Sequence, residues 1–382
     1  MFKVMTVFGT RHEAIKLAPV IKELQRYPDT IKSIVTVTAQ HRQMLDSVLS
    51  VFSIKPNYDL NIMRANQGLS DITCKVLKDI EAIYESEKPD LVLVQGDTTT
   101  VFAASLAAYY KQIPVGHVEA GLRSHNKYHP FPEEVNRCLT SVIARLHFAP
   151  THAAKANLLN EGIAESAICV TGNTVIDALL EVASRDFVFD NDALNGIKGK
   201  MVLITAHRRE SFGKPFTDMC NAILTLARRY TEVTFVYPVH LNPNVRNTVF
   251  PILGNEPNII LIEPLEYVPF VHLMKRSYII LTDSGGIQEE APSLHKPVLI
   301  LREVTERPEV VSAGGAKLVG TNPEAIITET TRLLEDRDEY DRMAHISNPF
   351  GDGRAAQRIV DFIRNTCIKD KNTGGMSSHA SK

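Results

Sequence analysis

Residues 90–121 read DLVLVQGDTTTVFAASLAAYYKQIPVGHVEAG. A short apolar, β-branched run (DLVLVQ) ends in a polar cluster (QGDTTT). A stretch of helical spacing follows, and a second apolar run (IPVGHV) ends in another polar cluster (HVEAG). Two such runs around one helix form a βαβ unit, and runs without polar alternation belong to the buried strands of a parallel sheet. The flanks repeat the rhythm. FKVMTVF (2–8) and IKSIVTV (31–37) read as strands, with EAIKLAPVIKELQR and HRQMLDSVLSVF as the helical segments after them. The pattern then restarts in MVLITA (201–206), VTFVYPV (233–239), NIILIE (258–263), YIILTD (278–283) and KPVLIL (296–301). The expected fold class is α/β, with two Rossmann-like doubly wound domains facing across a cleft. The first domain is expected over residues 1–169 and the second over 170–353, with a hinge near Val170–Gly172.

Bulk properties agree with that size. A chain of 382 residues exceeds one ordinary core, and 44% hydrophobic with 23% charged residues is globular composition. A formal net charge of −2 argues against a broad footprint for nucleic acid or an anionic membrane. No apolar run approaches the roughly 20 residues that span a bilayer, and MFKVMTVFGT lacks the layout of a signal peptide. Cys74, Cys138, Cys169, Cys220 and Cys367 are scattered, without a C-x-x-C pair, which suits free thiols in a cytoplasmic protein. The polar KDKNTGGMSSHASK (369–382) is expected to be a disordered tail.

Six polar clusters fall at the C-terminal ends of six expected strands: GTRHEAIK, QGDTTT, HVEAG, TAHRRE, PVHLNP and TDSGGIQEEAP. Ligands of such sheets sit beyond those ends, so the shared placement points to an active-site cleft. In TDSGGIQEEAP, Gly285 and Gly286 let a backbone come close to a ligand, and the following helix start suits a phosphate. Glu290, further along, suits ribose hydroxyls; the plainer alternative is an ordinary serine N-cap. The spacing is neither G-x-G-x-x-G nor a Walker motif, which counts against NAD and P-loop chemistry. Arg11 in the loop and Lys16 five residues on offer cations near the first helix start, although Lys16 alone reads as a solvated helix residue. Asp97 is either a helix N-cap or a carboxylate at a strand end.

The densest titratable stretch is HVEAGLRSHNKYHPFPEEVNR (117–137). It holds an H-x-E but no H-E-x-x-H and no cysteine partner, so no metal site is expected. His125 and His129 read as exposed loop residues, and one of Glu133 and Glu134 as a helix-start acid. Convergence of Asp97, Glu119 and Glu133 on one cleft would make a multi-carboxylate acid/base site.

In this order, GTR-x-EAIK, QGDTTT, HVEAGLR, PFPEE-x-NR, TAHRRE, P-x-H-x-NP, TDSGGIQEEAP and TERPE-x-V, with NPFGDGRAAQRI (348–359), resemble the non-hydrolysing UDP-N-acetylglucosamine 2-epimerases. The resemblance runs through nearly the whole chain except the tail. It implies the architecture of the GT-B glycosyltransferases, with a last helix (about 354–368) crossing back onto the first domain. It also implies interconversion of UDP-GlcNAc and UDP-ManNAc without metal or cofactor, by a cytoplasmic homodimer that supplies cell-surface polysaccharide. By motif, Asp97, Glu119, Glu133 and His207 match the catalytic set. Arg11, Lys16, Phe270, Ser284, Gly285, Gly286, Glu290 and Arg307 match the substrate and UDP set, with Phe270 near the uracil. A second UDP-GlcNAc, acting as activator, is implied at Gln40, His41, Gln43, Gln67, Glu134, Arg208 and His240. His12 stands where the family usually has proline, and His129 replaces a common serine; both bear on fine specificity more than on reaction class. The hydrolysing relatives, which release ManNAc and UDP, are the alternative.

Overall fold

The computed structural model describes residues 1–39, 42–64 and 67–369, apart from the Gln43 side chain; the expected tail falls almost wholly outside the described residues. The chain forms two compact units, Met1–Ala178 with Phe350–Lys382, and Leu179–Pro349. The division falls nine residues after the expected boundary at 170, inside the helix Thr174–Ala183. The reason is local: Asn173 N–H donates to the Phe350 carbonyl at 2.6 Å, so the stretch after the last strand stays with the first unit.

The first unit is built on a seven-stranded parallel sheet. Its strands are β1 (Phe2–Phe8), β2 (Ile31–Val37), β3 (Tyr58–Asp59), β4 (Leu91–Gln95), β5 (Val115–Val118), β6 (Leu146–Ala149) and β7 (Ile168–Val170). Their spatial order is β3-β2-β1-β4-β5-β6-β7. Sheet residues such as Val4, Val7, Val92 and Val94 are fully buried, each side chain contributing about 1.5–3 kcal/mol by leaving water. The second unit has a six-stranded parallel sheet, β8 (Met201–Thr205), β9 (Thr234–Pro238), β10 (Ile259–Ile262), β11 (Ile279–Thr282), β12 (Val298–Ile300) and β13 (Ala316–Leu318), in the order β10-β9-β8-β11-β12-β13. Strands β3, β6, β7 and β13, whose sequences are YD, LHFA, ICV and AKL, are not among the runs that read as strands.

Both sheets reverse direction once, the first between β1 and β4 and the second between β8 and β11. At such a switch point the connections leave toward opposite faces and open a crevice beyond the carboxyl ends. That fixes where chemistry sits: the segments after β1 and β4 carry Arg11 and Asp97, and those after β8 and β11 carry His207 and Ser284.

The helix Ala355–Ile363 belongs to the first unit and packs against the helix Arg11–Gln25. Its start is held by Asp177, whose carboxylate accepts from Ala355 N at 3.2 Å and Ala356 N at 2.8 Å. Close by, Gly172 has φ +87°, and a Cβ there would meet Gly351 Cα at 3.2 Å. The positive φ and that contact both require glycine. No helix among the described residues is long and apolar enough to cross a membrane.

Burial pushes the Asp177 carboxyl up to about 6, against the pull of its two amide donors. An unfolded aspartate titrates near 3.8, so the folded chain holds the extra proton between those values and stability falls as pH climbs from about 4 to about 6. Asp177→Asn should flatten that slope in denaturant titrations. Asp177→Ala, lacking both acceptors, should lose about 1 kcal/mol and speed amide exchange at Ala355 and Ala356. An unchanged slope in the Asn variant would contradict this assignment.

Candidate active site

The site in the first unit grows from two helix starts at the switch point. Thr10 caps the helix Arg11–Gln25 in a capping box with Glu13, whose Oε2 accepts Gly9 N at 3.0 Å and Thr10 N at 2.6 Å. Arg11 is therefore the first helical residue rather than a loop residue. Thr98, not Asp97, caps the helix Thr99–Tyr110, accepting Val101 N at 3.3 Å. The same hydroxyl donates to Glu13 Oε1 at 2.8 Å, stapling the β1 connection to the β4 connection. Burial pushes the Glu13 carboxyl above its ordinary value even against those donors.

With Thr98 as the cap, the Asp97 carboxylate is left to other partners. A cavity of about 420 Å³ is lined by Arg11, His12, Glu13, Lys16, Gln95, Asp97, Glu119 and Glu133, among others. The expected carboxylate trio and both expected cations thus share one space. Glu119, left-handed at φ +66°, is the best-held of the trio. Lys16 Nζ lies 2.6 and 2.8 Å from its two oxygens, Asn173 Nδ2 donates to Oε1 at 3.0 Å, and Gln95 Nε2 donates to Oε2. Lys16 is neither solvated nor aimed away; it neutralises Glu119.

Asp97 is held differently. Arg137 donates to Oδ2, and Asn136 Nδ2 donates to its backbone carbonyl at 3.0 Å. Enclosure pushes the Asp97 carboxyl up, Arg137 pulls it down, and the charge of Glu119 pushes it up again. Glu133 opens the helix Glu133–Ile143 and faces the cavity half-buried. Its neighbour Glu134 is buried and turned inward, accepting Ser124 N and His125 N at 3.0 Å each, with Arg137 at 3.5 Å. His117 is buried, its Nε2 2.7 Å from the Gly96 carbonyl, and burial lowers it to about 3, so it is a neutral structural residue. His125 and His129 are exposed, as the sequence reading favoured. No group of three or more His, Cys, Asp or Glu among the described residues is placed to hold a metal ion.

In the second unit, His207 and Arg208 follow β8, and their backbone N–H groups both donate to Asp283 Oδ2, at 2.5 and 2.7 Å. The His207 ring stacks on His240, centroids 5.0 Å apart and 9° from parallel. Burial lowers its pKa, with His240 and Arg208 adding to that and Asp283 opposing it. Ser284 precedes the helix Gly285–Glu290 without spending its side chain on a cap. A Cβ at Gly285 or Gly286 would meet nothing within 4 Å, so the backbone is open to close approach. Glu290 is buried at the end of that helix, and Phe270 is half-buried on the helix Tyr267–Arg276. Arg307 pairs with Glu289.

Of the expected activator residues, Gln40, His41 and the side chain of Gln43 lie outside the described residues. Gln67 is turned onto its own loop, accepting Arg64 N at 2.8 Å and donating to Ile62 O at 2.7 Å.

The sequence reading missed Gln95, Asn136, Arg137, Asn173 and Asp283. Arg137 had a signal, being four residues after Glu133 and hence on the same helical face. Asn173 had none, since it reaches Glu119 across 54 positions; Asp283 stands in the strand-end cluster TDSGGIQEEAP, but its contact with His207 spans 76 positions.

The sequence profile described as UDP-N-acetylglucosamine 2-epimerase matches residues 22–364. The UDP-N-acetylglucosamine 2-epimerase of Escherichia coli (strain K12) is 54% identical over 376 residues, covering 96% of this chain and 99% of that protein. The crystal structure of UDP-GlcNAc 2-epimerase from Neisseria meningitidis bound to UDP-GlcNAc is 54% identical with a TM-score of 0.83, covering 96% of this chain and 100% of that one. The Methanocaldococcus jannaschii UDP-GlcNAc 2-epimerase in complex with UDP-GlcNAc and UDP is 37% identical with a TM-score of 0.77, covering 95% and 100%.

Arg137 is the cation that opposes the upward push on Asp97. In Arg137→Met, the Asp97 carboxyl should titrate at higher pH than in the unaltered chain, followed by carboxylate infrared bands assigned with Asp97→Asn. A titration that stays in place would show that Arg137 does not govern that charge.

Proposed function

The chain belongs to the UDP-N-acetylglucosamine 2-epimerase family, and from that premise we propose that it interconverts UDP-GlcNAc and UDP-ManNAc without net hydrolysis. The observation that carries this reading is the shared cavity of Asp97, Glu119 and Glu133 with Arg11 and Lys16 at the switch point.

The chemistry asks for such a set. C2 of the sugar has no adjacent carbonyl to acidify its proton, so direct abstraction is hard. In the proposed path the C1–O bond breaks and its electron pair leaves with the diphosphate as UDP. A carboxylate takes the C2 proton, and the C–H pair becomes the C1=C2 bond of 2-acetamidoglucal. In return, a proton is delivered to the opposite face of C2 while UDP re-adds at C1. Two faces require two proton-handling groups, and acid/base assistance of this kind contributes about 10²–10⁴-fold each.

The environments suit divided roles. Asp97, whose acid form persists to higher pH than an ordinary aspartate's, suits proton delivery. Glu119, paired with Lys16, suits the ionised, accepting form. Glu133 is the third carboxylate of the trio. Arg11 meets the developing diphosphate charge. In the second unit, Ser284, Gly285 and Gly286 offer a hydroxyl and open backbone to phosphate, Glu290 offers an acceptor to ribose, and Phe270 and Arg307 complete the nucleotide set. His207 is the further titrating group.

The reading is of a cytoplasmic enzyme without metal or nicotinamide. A second UDP-GlcNAc as activator stays within the proposal, with Gln67, Glu134, Arg208 and His240 as the members of its expected set among the described residues. A homodimer fits the exposed stripe of Val135, Leu139 and Val142 at helical spacing on the helix Glu133–Ile143, with Tyr109 and Tyr110 exposed on the helix Thr99–Tyr110.

Proton NMR of UDP-GlcNAc incubated in D₂O should show deuterium entering C2 and UDP-ManNAc appearing with UDP still attached. Accumulation of free ManNAc would instead establish the hydrolysing activity, and no deuterium uptake would remove both. Asp97→Asn, Glu119→Gln and Glu133→Gln should each slow turnover by at least about 10²-fold. Near-normal turnover in all three would dissolve the carboxylate assignment.

A further inference from the structure

Asp283 is 1% exposed. One of its oxygens is fully engaged: Oδ2 takes the N–H groups of both His207 and Arg208. The other, Oδ1, is buried without a hydrogen-bond partner and lies 3.5 Å from His207 Nδ1. A carboxylate oxygen enclosed in protein and left unpaired is costly. The group facing it is an imidazole nitrogen that a slight turn of the ring brings into hydrogen-bond range.

The loop that presents His207 is built to keep that relation. The Tyr237 hydroxyl donates to the Ala206 carbonyl at 2.5 Å, fixing the residue before His207. Thr205 and Thr282 bond each other at 2.6 Å where β8 and β11 end. His240, from the segment after β9, stacks on the ring and limits its rotation. The strand ends and the stacked ring therefore hold Nδ1 toward Asp283.

We propose that Asp283 is a positioning residue for His207. Its Oδ1 accepts a hydrogen bond from Nδ1–H, which keeps that proton on Nδ1, so the ring titrates at Nε2, a bare lone pair in the neutral ring and an N–H donor when the ring is charged. The hydrogen bond that one ring nitrogen makes sets the state of the other. A carboxylate at Nδ1 also stabilises the imidazolium that forms when Nε2 takes a proton, the logic of the carboxylate in Ser-His-Asp sites. This rests on the epimerase reading only for what Nε2 acts upon, which would be a substrate or departing-UDP oxygen. The tautomer follows from this chain's own geometry.

The charges that face the ring give the sign of the effect. Asp283 raises the His207 pKa, whereas His240, Arg208 and burial lower it. Removing the negative charge must therefore move the His207 titration to lower pH. Asp283→Asn is the informative variant. Its amide oxygen replaces Oδ2 as acceptor for the two backbone N–H groups, so the loop is kept. Its NH₂ then faces Nδ1 and drives the proton to Nε2, the wrong tautomer.

The test is ¹⁵N NMR of the full chain with labelled histidine, the His207 signals being assigned by their loss in His207→Gln. The unaltered chain should show Nδ1 protonated and Nε2 bare, and Asp283→Asn the reverse, with the His207 titration at lower pH. Turnover in Asp283→Asn should fall about 10²-fold or more, with UDP affinity by calorimetry within a few-fold of the original. A purely structural role would weaken UDP binding and leave the tautomer alone. Nε2–H in the unaltered chain would overturn the proposal. So would an Asn variant that keeps its tautomer and turnover. Should the variant fail to fold, the spectrum of the unaltered chain decides alone. Absence of epimerisation would remove the epimerase reading and leave the tautomer test standing.

Discussion

Lys16 Nζ sits within 2.8 Å of both oxygens of Glu119, and the organisation of the first unit's site follows from that pair. It ties the helix after β1 to the segment after β5, spanning the point where the sheet order reverses. The Glu119 side chain is 7% exposed and that of Lys16 19%, so solvent screens the pair poorly. Removing one partner of such a pair costs about 3–5 kcal/mol, because the other charge is left uncompensated. The net stabilisation of the intact pair is far smaller. Its use is placement, since a carboxylate gripped by Lys16, Asn173 and Gln95 has little freedom to reorient.

The same economy of buried charge sets the other carboxylates apart. Glu13 is sealed away from solvent, and its carboxylate accepts three hydrogen bonds from its own helix start and from Thr98, so it shapes the cavity. Asp97 feels enclosure and Glu119 on one side and Arg137 on the other. Three acidic residues of similar intrinsic acidity thus come to differ through burial and partners alone: Glu13 staples two helix starts, the Asp97 carboxyl is pushed up, and Glu119 is paired with Lys16.

Most of the fold was legible because buried parallel strands are written within apolar runs, and nine of the strands described lie in such runs. The strands that escaped, β3, β6, β7 and β13, are two to four residues long and carry no period. Site residues were legible where the chain itself brings them to a strand end, as with Asp97, Glu119 and His207. What supports them was not: Asn173 and Asp283 act through distant contacts that only the folded chain makes. Local competition also hid one assignment, since Asp97 is by type an even better cap than Thr98, and only the folded chain shows that Thr98 takes the cap.

In the proposed path the C1–O bond breaks, the carboxylates handle the C2 proton and the cations receive the diphosphate. Positional isotope exchange tests it directly. UDP-GlcNAc carrying ¹⁸O in the oxygen that bridges C1 and the β-phosphorus is incubated with the enzyme, and the ³¹P spectrum is followed. Cleavage frees the β-phosphate to rotate, so ¹⁸O should scramble into the non-bridging β positions as epimerisation proceeds. Epimerisation at C2 with the label held in the bridge would contradict it.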